Sequence, residues 1–108
     1  MVIKRFDIWL VTLDPTLGSE IQKTRPCLII SPDEMNLLRT VIVAPLTSKG
    51  FDFPMRVKIN FENKDGLILL DQMRSVDKQR LIKKVGTIEP QIAQDICLIL
   101  QEIFEYKR

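Results

Sequence analysis

Only one long stretch of this chain carries a helical period, and it lies at the C-terminal end. Between Glu89 and Tyr106, Ile92, Ile96, Ile99 and Ile103 recur at helical spacing, with Ala93, Leu100 and Phe104 beside them. Pro90 is tolerated in a first helical turn. Everything before it reads mainly as short strands, so the fold must be a sheet that one helix can cover.

The strands follow from apolar runs bounded by turn residues. Asp7–Leu13 is rich in β-formers and stops at Asp14-Pro15. Cys27–Ile30 lies between Pro26 and Ser31-Pro32, and Val41–Leu46 is a further run whose Pro45 argues for an edge or a bulge. Met55, Val57, Ile59 and Phe61 alternate with Arg56, Lys58 and Asn60. Leu67–Leu70 follows a turn expected at Asn63–Gly66, and Leu81–Ile88 is the last candidate strand. Pro32–Leu38 supplies a helical turn or two, with Asp33 and Glu34 near its start. The expected fold is mainly β, a small, strongly curved sheet or barrel under a C-terminal amphipathic helix.

At 108 residues, the chain makes one domain spanning 1–108. A composition of 45% hydrophobic and 28% charged residues is that of an ordinary globular protein. No apolar run approaches the roughly 20 residues that span a bilayer, and the first residues show no signal-peptide core. A cytoplasmic location is expected, with no membrane partner. Cys97, Leu98 and Leu100 widen the apolar stripe of the helix beyond what one sheet requires. A homodimer or a deep core position would each account for it.

The chemistry is narrowed by what is missing. There is no histidine, so the commonest metal ligand and the commonest neutral-pH acid–base group are both absent. Cys27 and Cys97 sit far apart in apolar contexts, without zinc spacing, and read as buried small hydrophobes. No Asp-x-Asp cluster suggests magnesium, and neither metal nor cofactor is expected. The net charge is +2, from 16 basic and 14 acidic residues. Arg74, Lys78, Arg80, Lys83 and Lys84 crowd into one stretch with only Asp77 among them. Such a run is either a solvated face or a surface for a phosphate backbone.

The polar loop Asp14–Pro26 is the most informative segment. Pro26 biases Arg25 towards an extended backbone. A guanidinium held there can present its planar fork to a phosphate. A surface salt bridge to Glu20 is the equal alternative.

Three motifs in order carry a family resemblance. The first is Ile8-Trp9, Leu13-Asp14-Pro15-Thr16-x-Gly18-Ser19-Glu20 and Arg25-Pro26-Cys27-Leu28-Ile29-Ile30-Ser31. The second is Ala44-Pro45-Leu46-Thr47-Ser48, and the third runs from Gly66-Leu67-Ile68-Leu69-Leu70-Asp71-Gln72-Met73-Arg74 to Asp77. Together they resemble the PemK/MazF/Kid family of toxin endoribonucleases from end to end. The resemblance implies an SH3-like, CcdB-like barrel that forms a homodimer. It implies sequence-specific cleavage of single-stranded RNA and inhibition by a MazE-like antitoxin with an acidic, disordered tail. The expected cleavage is metal-independent: the 2′-hydroxyl attacks its own phosphate, leaving 2′,3′-cyclic phosphate and 5′-hydroxyl ends.

By position, Arg25 matches the family's catalytic arginine and Thr47 its active-site threonine or serine. Glu20 matches a glutamate implicated in some members, and Asp71 an aspartate proposed as general base in the Kid branch. Each carboxylate has a structural hydrogen bond as its alternative role. Arg74, Lys78, Arg80 and Lys49 are candidates to follow the RNA backbone. Ser19, Gln22, Lys23, Ser48 and Gln72 are further RNA-contact candidates, while Trp9 is a stacking platform or, better, a core residue.

The chain departs from the family at Phe6, where a glycine is usual, and at Leu69, where Kid-type enzymes place an arginine. An Asp71–arginine acid–base pair is therefore expected to be incomplete. Two other classes share the fold: a CcdB-like toxin that binds gyrase, and a non-catalytic antitoxin-binding or repressor partner.

Overall fold

The structure, a computed structural model, describes residues 2–13 and 24–107. Seven strands precede one helix: β1 (Asp7–Thr12), β2 (Thr24–Ile29), β3 (Thr40–Thr47), β4 (Arg56–Phe61), β5 (Lys64–Leu69), β6 (Arg74–Asp77), β7 (Leu81–Thr87) and α1 (Pro90–Phe104). The Pro32–Leu38 stretch forms a 3₁₀ turn over Asp33–Leu37. The strand order is β4-β5-β3-β2-β1-β7, all antiparallel, with β6 also on β3.

β3 curls this sheet. Its first half, Thr40–Val43, pairs with β6, while Leu46 and Thr47 pair with β5. Pro45 falls where one partner gives way to the other, and it is buried opposite Cys27. The expectation of an edge at Pro45 is therefore corrected: β3 is the central strand. A residue without an N–H is tolerated where a ladder changes partner.

The two faces of the curled sheet bury separate clusters. Trp9, Val11, Cys27, Ile29, Val41 and Val43 belong to one. Ile8, Leu28, Ala44, Leu46, Ile68 and Leu70 form the other, and there α1 packs. Ile96 is the helix's fully buried anchor, with Ile92, Ile99 and Ile103 half-buried around it. Truncating Ile96 to alanine should cost about 2–5 kcal/mol. Leu98 and Phe104 face away, 64% and 72% exposed, so core packing does not account for the whole apolar width of the helix.

Phe6 takes a φ of 71°, the left-handed region that favours glycine. The turn into β1 is thus kept despite the missing glycine, at a strain of about 1–3 kcal/mol. The surroundings hold it there. Phe6 N–H donates to the Ile29 carbonyl at 2.7 Å, the ring packs against the helix-side core, and the Arg5 guanidinium lies 5.0 Å from its centroid. The following residue, Asp7, is buried and accepts from Lys4 N–H at 3.1 Å and from Lys84 at 3.3 Å.

The β4–β5 connection is tighter than expected. Its two loop residues are Glu62 and Asn63, with φ of 52° and 63°, and Phe61 pairs directly with Lys64. Two consecutive left-handed residues make the hairpin turn that suits strand twist. The turn expected at Asn63–Gly66 therefore begins one residue earlier, and Lys64, Asp65 and Gly66 join β5.

Candidate active site

The register between β2 and β3 builds the site. Ile29, Leu28 and Cys27 pair with Val43, Ala44 and Pro45. Continued by two residues, that register sets Arg25 opposite Thr47, on the same face of the sheet. Arg25 stands exposed within β2, which starts at Thr24 rather than at Cys27. Pro26 follows it and keeps its backbone extended.

Thr47 is held from two sides. Its Oγ1 accepts the Lys49 N–H at 3.1 Å, which leaves the hydroxyl hydrogen for a ligand. Its backbone pairs with Leu67, and Gly66 passes so close that a Cβ there would stand 2.6 Å from the Thr47 carbonyl oxygen. Only glycine permits that approach.

Arg25 and Thr47 line one open cleft of about 350 Å³, walled by Pro26, Leu46, Ile59 and Phe61. Lys49 and Lys64 join Arg25 on its rim, with Glu62 and Asp65 among them. A second hollow of about 640 Å³ shares Thr47, Ser48 and Lys49 and runs on towards Glu89 and Ile92. Arg74 reaches the same region: it and Arg25 both act electrostatically on the Cys27 thiol. Burial outweighs them and pushes that thiol up to about 12. Cys27 therefore stays protonated and packs as the small hydrophobe the sequence suggested.

Asp71 is not alone. Arg56 Nε and Nη2 donate to its two carboxylate oxygens at 3.2 Å each. These bonds hold its carboxyl below the usual range. The arginine expected to be missing at Leu69 is indeed absent from that position, but Arg56, which faces Leu69 in the β4–β5 register, gives Asp71 an ion-pair partner from the neighbouring strand. Sequence reading missed Arg56 because the turn was placed too late. A turn at Asn63–Gly66 would have brought Met73, not Leu69, opposite Arg56.

Other candidates lie elsewhere. Lys78 Nζ donates to the Asn36 carbonyl, and Arg80 donates to the Thr12 carbonyl at 3.2 Å. Lys78 follows Asp77, which pairs with Thr40 at the opposite end of β3 from Thr47, whereas Arg80 is tied to Thr12, which pairs with Thr24 beside Arg25. Gln72 is exposed in the 3₁₀ turn Leu70–Gln72 and does not line the cleft. Trp9 is 5% exposed, so it is a core residue; its buried Nε1 has no hydrogen-bond partner among the described residues. Ser19, Glu20, Gln22 and Lys23 lie outside the described residues.

Among the described residues no three histidine, cysteine or acidic side chains gather into a metal-binding group. No described helix is long and apolar enough to cross a membrane.

Comparison with known proteins finds relatives over nearly the whole chain. The chain is 34% identical to endoribonuclease EndoA of Bacillus subtilis strain 168, over 94% of its own length and 93% of the relative's. It is 37% identical to endoribonuclease MazF of Staphylococcus epidermidis, over 98% and 99%. A mycobacterial endoribonuclease solved in complex with its cognate antitoxin superposes with a TM-score of 0.78 at 19% identity, covering 98% of this chain and all of that one. That likeness shows that the fold is shared. The family profile describing PemK-like, MazF-like toxins of type II toxin–antitoxin systems matches residues 4–104, and the chain belongs to that family.

Proposed function

We propose that this protein is a sequence-specific endoribonuclease that cuts single-stranded RNA in the cleft between Arg25 and Thr47. The observation that carries the reading is the cleft that Arg25 and Thr47 both line, beyond the Cys27–Pro45 end of the β2–β3 pairing. Supporting it, two relatives that match nearly the whole chain are both named endoribonucleases.

The chemistry asks little of the protein beyond orientation and charge. A ribose 2′-hydroxyl is already tethered to the phosphorus it attacks, so the enzyme aligns them and stabilises the phosphorane. Arg25 remains cationic at any relevant pH and supplies that charge with a fork matched to two phosphate oxygens. Thr47, whose oxygen is fixed by Lys49 N–H, donates its hydroxyl hydrogen to one of the two non-bridging oxygens. The products are a 2′,3′-cyclic phosphate and a 5′-hydroxyl, and the step uses no metal.

The attacking hydroxyl's proton passes to a carboxylate, and the departing 5′-oxygen takes up a proton from solvent. Asp71, bound twice by Arg56 and held in its charged form, is a weak acceptor. Glu20 is the better assignment, and Asp71 serves to hold Arg56.

The exposed apolar side of α1, with Leu98 and Phe104, is assigned to a homodimer. The antitoxin is assigned as an acidic segment that lies over the cleft and competes with RNA for Arg25, as an anionic disordered chain can. A gyrase-binding toxin or an inert binder on the same fold would leave RNA whole. Digestion of a long RNA in the presence of EDTA, with mapping of the new ends, therefore tests the proposal. Discrete cuts with 5′-hydroxyl ends are expected. Intact RNA, or cleavage that returns only when magnesium is added, would overturn it.

A further inference from the structure

Just beyond Thr47 the chain turns through Gly50, at a φ of 134°, and presents two phenylalanines to solvent. Phe51 is 68% exposed and Phe53 48%, and their rings meet edge to face with centroids 6.5 Å apart and planes at 85°. Buried packing does not explain them, because their ring faces are largely in water. Yet Phe51 is not loose. The Arg56 guanidinium lies 4.7 Å from the Phe51 ring centroid, and Nη1 donates to the Phe51 carbonyl at 3.4 Å. Asp71 clamps that guanidinium from the other side.

The platform adjoins the proposed reaction centre. Arg56 Nη1 stands 3.6 Å from where a Gly50 Cβ would be, and Thr47 Cγ2 stands 3.7 Å from the same point. An oriented aromatic pair, backed by a cation and one side chain away from Thr47, suits one chemistry well. Unpaired bases stack on exposed aromatic rings and on arginine planes.

We propose that Phe51 and Phe53 form a base-stacking subsite for the unpaired nucleotide next to the scissile phosphate. Arg56, held by Asp71, is its positioning residue. The inference rests on the reading of the cleft as an RNA-cleaving site and extends the substrate path beyond Thr47. It also explains why a bidentate ion pair stands beside the cleft with its charge already neutralised. The pair fixes the Phe51 ring instead of acting on a proton.

The test pairs protein variants with RNA lacking single bases. A short RNA carrying one mapped cleavage site is made intact, and again with an abasic ribose at each position flanking the cut. Phe51→Ala should lower kcat/KM on intact RNA about tenfold, the scale of one lost stacked base. One abasic RNA should cost the natural protein a similar factor and cost Phe51→Ala little more. Phe51→Trp should restore both the rate and the sensitivity to the missing base. Asp71→Asn should lose that sensitivity with the rings still present, mainly through a raised KM. Both phenylalanines are exposed, so thermal unfolding of the Phe51 variants should match that of the natural protein.

If Phe51→Ala cleaves intact RNA at the natural rate, or every abasic RNA penalises both proteins equally, the subsite is overturned while the cleft reading stands. If the natural protein cuts no RNA, both fall together.

Discussion

The two ends of β3 carry similar charge and use it in opposite ways. At the Thr40 end, Lys78 is spent on the fold, donating to the Asn36 carbonyl, and Arg80, nearer Arg25 in the sheet, is spent in the same way on the Thr12 carbonyl. Lys84 is likewise paired with the buried Asp7. At the Thr47 end, about 23 Å along the strand at 3.3 Å per residue, Arg25 stands exposed on the rim of an open cleft. A cation that satisfies a carbonyl stiffens the molecule, whereas one left facing a concavity can meet a ligand. Counting positive charges along the chain does not separate the two uses.

Substitutions can break this contrast. The largest effect is expected at Arg25. Arg25→Ala should reduce RNA cleavage at least 10²–10³-fold, about the loss for one transition-state charge donor, with an unchanged unfolding temperature because the side chain is exposed. A single-turnover assay beside a thermal melt checks both halves. Cleavage at the natural rate would remove Arg25 from the chemistry.

Thr47→Val keeps the shape and deletes the hydroxyl. A loss on the order of 10²-fold is expected, again the scale of a single donor, read as a fall in kcat. Gly66→Ala sharpens the contrast by adding a Cβ while removing no functional group. Its Cβ would press on the Thr47 carbonyl oxygen, so Thr47 or β5 must move. A destabilisation of about 1–3 kcal/mol is expected, with a fall in activity that exceeds the unfolded fraction. Denaturant titration and cleavage rate, measured on one preparation, separate the two.

The smallest catalytic effect is expected at the far end. Lys78→Ala should change cleavage only a few-fold while lowering the unfolding temperature, because it leaves a carbonyl without its donor. A loss as large as that of Arg25→Ala would show that RNA does run along this end, and the contrast would fail.

Much of this architecture was legible before any coordinates. The periodic isoleucines gave the helix within two residues at either end, and apolar runs located six of the seven strands. β6 escaped because Arg74–Asp77 offers one apolar residue, Val76, among polar ones, and it forms only by pairing with β3. β2 was read too short because Thr24 and Arg25 are polar residues in extended backbone. Arg25 and Thr47 were singled out through motifs, and the structure brings both to one cleft. Arg56 was hidden because its partner depends on which two residues make the β4–β5 turn. Glu62 and Asn63 take left-handed conformations that a glutamate does not advertise.

The central claim is that Arg25 and Thr47 act together on one phosphate, and a double-mutant cycle tests it most directly. Arg25→Lys retains a charge without the fork, so its residual rate stays measurable. Cleavage of one RNA site should be followed for the natural protein, Arg25→Lys, Thr47→Val and the double variant. Groups that stabilise the same transition state lose their effects non-additively, so the double variant should be only a few-fold slower than the slower single variant. Effects that multiply in full would mean that the two side chains act independently, and would contradict an active site built by this register.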